Sequence, residues 1–198
     1  MCRNDVNFIA MKWLRNIALN LIDKKARKTQ RKVRVHNLQT AKTIGIIYDA
    51  TSRSDDEKVL KLVRYFKEER KKVKTLGFID TKKPEEMPEQ KNAQFYFNKK
   101  ALNIIGLPKK SENQVSDFMN EPFDVLINLD LQGEKLPLLY VYALSKASFK
   151  ISAAQSELEK YADFMIDVSQ NNDISFFSIQ LKHYLKLINK KTEEYEHV

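Results

Sequence analysis

The sequence is poor in the residues that most often announce a function. Its 198 residues include one cysteine, Cys2, so no intrachain disulfide can form, and a reducing compartment is expected. At the second position this cysteine reads as a free thiol rather than a nucleophile. The four glycines, Gly45, Gly77, Gly106 and Gly133, stand apart from one another. That spacing excludes both the P-loop and the G-x-G-x-x-G fingerprint. The three histidines, His36, His183 and His197, show no ligand spacing, and no Ser-His-Asp order stands out. No metal site and no cofactor are therefore expected. No apolar run reaches the roughly 20 residues that span a bilayer. The stretch 8–22 is broken by Lys12, Arg15, Asn16 and Asn20 and lacks a small-residue cleavage pattern, so a secretory leader is not expected either. Repeats and low-complexity tracts are missing.

Acidic residues are also scarce in one place, the first 35 positions. Ten Lys and Arg stand there against Asp5 and Asp23, an excess of +8. The remaining 163 residues carry 25 basic and 24 acidic side chains, an excess of +1, so almost all of the net charge of +9 is local. Such asymmetry marks contact with something anionic. Apolar residues at 42%, with eleven Phe and eight Tyr, suffice for a folded core.

The spacing predicts a helix over 8–32. Ala10, Met11, Leu14, Ile17, Ala18, Leu21 and Ile22 share one face, and Lys12, Asn16 and Asp23 lie opposite. The stripe stops at Ile22, and a basic tail from Lys24 to Arg34 continues it. Met11 opens the periodic segment cleanly and is an alternative start to Met1. Trp13, Leu14, Ile17, Leu21 and Ile22 are the candidate membrane or partner face. Lys24, Lys25, Arg27, Lys28, Arg31, Lys32 and Arg34 are the candidate anion-binding set. Three uses of this arm stay open: a membrane interface with anionic lipid under the basic tail; phosphates of RNA, as in a ribosome-associated factor; or docking of the stripe on the body's own sheet or a second copy of the chain. A solvated helix face and linker is the plain alternative. DNA sequence readout is not expected, and the lack of aromatics after Trp13 speaks against a stacking platform for single strands.

From residue 42 the pattern changes. Thr43 to Asp49 is a β-branched apolar run, Ser54 and Glu57 offer a capping box, and Val59, Leu62, Val63 and Phe66 follow at helical spacing. Val73 to Ile79 is a second strand, which completes a βαβ unit and implies a parallel pair. Residues 80–90 form a loop. Further strands are expected at 93–97, 123–129, 149–152 and 164–168, and helices at 136–147 and 174–189; 102–107 is ambiguous. The alternation predicts a Rossmann-like α/β domain, a mostly parallel sheet flanked by helices, over 42–190. An arm and linker over 1–41 precede it, and a disordered tail over 191–198 follows.

Asp49, Asp80, Asp130 and Asp167 each fall at or near the end of a strand. In an open parallel sheet that edge is where ligands bind, so these are the candidate catalytic carboxylates. Asp is equally favoured in strand-exit turns for purely local reasons. Asp49-Ala-Thr-Ser-Arg53 has the first aspartate of a phosphoryl-transfer loop but Thr51 where the second would stand.

The segments at 44–49, 76–79, 123–130 and 144–151 look like an uncharacterised family of bacterial domains of about this length, which has no activity to transfer. The stretch from Phe123 to Ile151 is also similar to the N-terminal half of heptosyltransferase-type glycosyltransferases, which implies Rossmann-like topology. The chain is too short to hold their nucleotide-sugar half. The expected role is a non-catalytic binding module in the cytoplasm, peripheral to the inner membrane face if lipid is its partner, with a small enzyme using the strand-end aspartates as the alternative.

Overall fold

The computed structural model describes residues 3–188 apart from 84, 86 and 90–92, with the side chains of 3–11 and 156 also left aside. The expected tail at 191–198 and His197 lie outside the described residues. Six strands form one parallel sheet in the order β3-β2-β1-β4-β5-β6. They are β1 (Thr43–Asp49), β2 (Lys72–Ile79), β3 (Gln94–Asn98), β4 (Val125–Asn128), β5 (Phe149–Ala153) and β6 (Phe164–Ile166). All five pairings are parallel. The expected Rossmann-like α/β architecture is therefore the observed one. Because the strands point the same way, every carboxyl end lies on one edge, and the order reverses between β1 and β4.

Helices cover both faces, so β1, β4 and β5 bury nearly every residue and read as continuous apolar runs. On one face, α2 (Arg53–Glu68) and α6 (Ile174–Leu187) pack Val59, Phe66, Phe177 and Leu181 against Ile44, Ile46 and Ile151. On the other lie α1 (Arg3–Ala26), α3 (Asn113–Asn120) and α4 (Leu136–Leu144). Residues 137–143 of α4 are all buried, since the sheet, α1 and α3 enclose it. A one-turn helix, α5 (Ser156–Glu159), links β5 to β6.

Several boundaries differ from expectation. The first helix does not run from 8 to 32; it spans Arg3–Ala26, and the basic segment after it is extended. From Arg27 to Lys32 there is no apolar side chain to bury, while Arg31 reaches the carbonyls of Ala147 and Ser148 and the Arg34 N–H donates to Ser148 O at 3.1 Å. Those contacts hold the segment beside the start of β5. Ser54 is not the cap of α2. Ser52 is, its hydroxyl accepting from Asp55 N–H at 3.4 Å, because the turn from Asp49 is only three residues long. The helix after β4 ends at Leu144 rather than 147. α3 carries only two buried apolar residues, Val115 and Phe118, too few to show a period.

Gly45 allows the sheet to meet the aromatic cluster beside α3, for a Cβ there would stand 2.8 Å from the Phe123 ring.

Candidate functional sites at the sheet edge and the basic arm

Three of the four strand-end aspartates converge. Asp49 closes β1, Asp80 follows β2 and Asp130 lies two residues beyond β4. Lys135, just before α4, ties the first two together: its Nζ stands 3.1 Å from Asp49 Oδ2 and 3.4 Å from Asp80 Oδ2. Lys99 pairs with the other oxygen of Asp80. Lys99 above all, with Lys135, holds the Asp80 carboxyl below its usual range. Thr51 donates to Asp49 Oδ1 at 2.5 Å and accepts from Asp80 N–H at 2.9 Å, which fixes the β1 and β2 exits to each other.

Asp130 is different. It is buried, and its Oδ2 accepts from the Lys135 backbone N–H at 2.9 Å. Burial, reinforced by the charge of Asp49, raises its carboxyl above the ordinary value. Asp49, Asp130 and Lys135 share a cavity of about 420 Å³ with Asp55, Lys58 and Asp173. In it Lys58 bridges Asp55 at 3.0 Å and Asp173 at 2.6 Å. This crevice opens at the point where strand order reverses, the usual ligand position in such sheets. Asp167 is not part of it. It follows the edge strand β6 and accepts from Ser169 N–H at 2.8 Å, a local turn that lowers its carboxyl. Among the described residues, no three His, Cys, Asp or Glu side chains are grouped to hold a metal ion.

The arm lies against the body. Ala18 and Ile22 are fully buried on α4, while Leu14, Ile17 and Leu21 are half-buried. Trp13, by contrast, is 63% exposed. Polar contacts flank the stripe. Arg15 pairs with Glu157 at 2.5 Å, Lys25 donates to Tyr140 Oη at 2.9 Å, and Asp23 pairs with Lys160 at 3.2 Å and accepts from Tyr161. No helix among the described residues is long and apolar enough to cross a membrane.

The seven candidate anion-binding residues therefore divide. Lys25 is half-buried, and Arg31 grips Asp163 with two bonds of 2.6 and 2.8 Å. Lys24, Arg27, Lys28, Lys32 and Arg34 are exposed, and Lys24, Lys28, Lys32 and Arg34 form no ion pair with any described residue. Lys24, Arg27 and Lys28 line one shallow depression, and Lys28 lines a second with the exposed Lys146. The result is a cationic face where the end of α1 meets the end of α4.

Sequence reasoning missed Lys150. It sits inside β5 and is only 2% exposed, among Phe149, Ile151 and Ala153. A single Lys inside a short apolar strand, Phe-Lys-Ile-Ser-Ala, was the available signal. Its Nζ donates to Ala143 O at 3.0 Å, a carbonyl at the C-terminal end of α4. Burial, together with repulsion from Arg31, pushes its ammonium down to about 7.

The sequence family DUF6913, a family of unknown function, matches residues 15–188. No curated protein and no solved structure matches the chain significantly, so the likeness to heptosyltransferase-type glycosyltransferases gains no support.

Proposed function

The chain belongs to DUF6913, a family of unknown function, and from its own geometry we propose that it is a binding module that docks RNA on its basic face. The observation that carries this reading is the set of exposed cations, Lys24, Lys28, Lys32 and Arg34, that no described carboxylate neutralises. Charges left in water on one face retain their counterions until a polyanion displaces them, and that release drives phosphate binding. RNA is favoured over a lipid surface because the inner end of the apolar stripe is already used. Ile22 and Ala18 are buried on α4, and of the stripe's described neighbours only Trp13 stands well clear of the body. An interfacial helix needs that apolar face to insert.

Removing the arm is a poor test, since α1 contributes to the core. The better variant is Lys24→Glu/Lys28→Glu/Lys32→Glu, measured by anisotropy with a labelled RNA hairpin across a salt series. Wild type is expected to bind with an affinity that falls steeply with salt. The variant should bind more weakly, with a log–log salt slope shallower by about 1 for each phosphate no longer neutralised. Binding to phosphatidylserine vesicles in place of RNA would overturn the RNA reading. An unaltered salt slope in the variant would overturn the face.

The alternative, an enzyme at the carboxyl edge, draws on the raised carboxyl of Asp130 in the switch-point crevice. It stands second because the surrounding carboxylates are already matched by Lys58, Lys99 and Lys135.

A further inference from the structure

Beneath the arm lies a cavity that neither reading uses. It holds about 360 Å³, and its wall includes Asp23, Arg27, Arg31, Lys150, Lys160 and Tyr161. Its polar groups have unequal freedom. Asp23 is engaged by Tyr161 and Lys160. Arg31 is spent on Asp163, whose Oδ2 also accepts the Lys150 backbone N–H at 2.9 Å. Asp163 thus already accepts three bonds and forms no ion pair with the Lys150 ammonium, although its charge partly offsets the repulsion from Arg31. The Lys150 amine is left with one neutral acceptor, the Ala143 carbonyl, and with the Tyr142 ring 5.6 Å away.

A lysine kept only for packing or for capping α4 has no need of a cavity at its side. One that is desolvated and set beside a guanidinium meets the two conditions that make an amine nucleophilic near neutral pH. The rim supplies the complementary element: Arg27 is exposed there, so an anionic group on a ligand finds a cation beside the cavity.

We propose that Lys150 is a carbonyl-reactive amine and that this cavity takes a small oxo compound bearing a carboxylate or phosphate. The neutral amine adds to the carbonyl carbon, and the nitrogen lone pair forms the new C–N bond. A proton moves from nitrogen to oxygen to give the carbinolamine. That oxygen then takes one proton from solvent and leaves as water, so that amine, carbonyl compound and one proton yield a protonated imine and water. No oxidant or reductant is consumed.

The test is reductive trapping on the full chain. Glyoxylate (carboxylate arm) and pyridoxal phosphate (phosphate arm) are each added with cyanoborohydride at pH 7.4, and modified peptides are mapped by mass spectrometry. An amine titrating near 7 has a neutral fraction close to a thousandfold that of an ordinary lysine at this pH, offset in part by its lower basicity. Lys150 is expected to be labelled at least about tenfold faster than the exposed Lys12, Lys24 or Lys28. Its rate should level off above pH 8, while theirs keeps climbing. Arg27→Ala should slow the Lys150 adduct with both probes severalfold. Labelling confined to surface lysines, or a Lys150 rate still rising in parallel with theirs at pH 9, would overturn the proposal. Mapping of the unmodified chain needs no variant to fold, and failure here leaves RNA binding on the outer face untouched.

Discussion

Replacing Lys150 by Met tests the electrostatics of the buried amine apart from any chemistry it performs. Methionine has nearly the same length and no charge, so packing against α4 is largely retained, while the bond to Ala143 O disappears at every pH. The charged groups around Lys150 are Arg31 from the extended segment and Asp163 ahead of β6. Both are unaltered by the substitution. The folded amine titrates at about 7 and the unfolded one near 10.5. Between those values the unfolded chain binds more protons, so stability rises with pH, and the full cost of charging the buried amine is felt below pH 7. Integrating that linkage, wild type gains on Lys150→Met by about 3 kcal/mol between pH 6 and pH 9. Urea unfolding followed by circular dichroism at pH 6, 7.5 and 9 measures the difference directly. Subtracting the two proteins at each pH removes every other titrating group. A difference that stays flat with pH would mean that Lys150 keeps its proton in the folded state, and the physical basis for a nucleophilic amine would be gone.

Burial also separates the two ends of the apolar stripe. Ile22→Ala should lower the unfolding free energy by about 2–4 kcal/mol, because the residue is fully enclosed between α1 and α4. Trp13→Ala, at 63% exposure, should stay within about 0.5 kcal/mol; equal effects in thermal or urea melts would contradict the docking of α1. Asp130→Asn acts through pH. The folded carboxyl is raised, so the stability it contributes is present in acid and lost as pH rises through its folded value. Asn retains an acceptor for the Lys135 N–H, so the variant should be more stable than wild type at pH 7 and lose that advantage near pH 3. A variant less stable at pH 7 than at pH 3, relative to wild type, would refute the assignment.

The architecture is legible in the sequence where burial is complete. β1 and β4 are short, buried apolar runs rich in β-branched residues and bounded by Asp or Pro, and it is their length and branching that separate them from the equally buried helix α4. What the chain does not display is which strand neighbours which. The pairing of Ile44 with Val125 joins segments far apart in sequence, and no local pattern encodes it. Asp80 beside Asp49 follows from the βαβ unit, but the approach of Asp130 to Asp49 is invisible for that reason, as is the exclusion of Asp167 by its place after an edge strand. α1 is legible as far as its apolar stripe. Its end is not, because the basic residues beyond Ala26 suit a helix by propensity but have nothing to bury, and tertiary contacts of Arg31 and Arg34 decide the backbone there. Lys150 is visible as an oddity, yet its significance depends on Arg31, which the fold brings from the N-terminal arm.

The two ends of this molecule invite opposite rules, and local charge decides between them. Topology favours the carboxyl edge, where strand order reverses and a cavity opens beside Asp49 and Asp130. Fold alone does not confer a site, however. At that edge Lys135 is shared by Asp49 and Asp80, Lys99 holds Asp80, and Lys58 lies between Asp55 and Asp173. A charged ligand entering there must break a pair for each one it forms, so little net attraction remains. On the arm side the balance is reversed. Asp23 and Asp163 are taken up by Lys160 and Arg31, and Lys24, Lys28, Lys32 and Arg34 face solvent with no described carboxylate to give up. An anion approaching that face displaces only water and loosely held counterions. The same excess of positive charge reaches inward through Arg31 to Lys150, so the arm on which we propose anion binding also helps burial to weaken the hold of the amine beneath it on its proton.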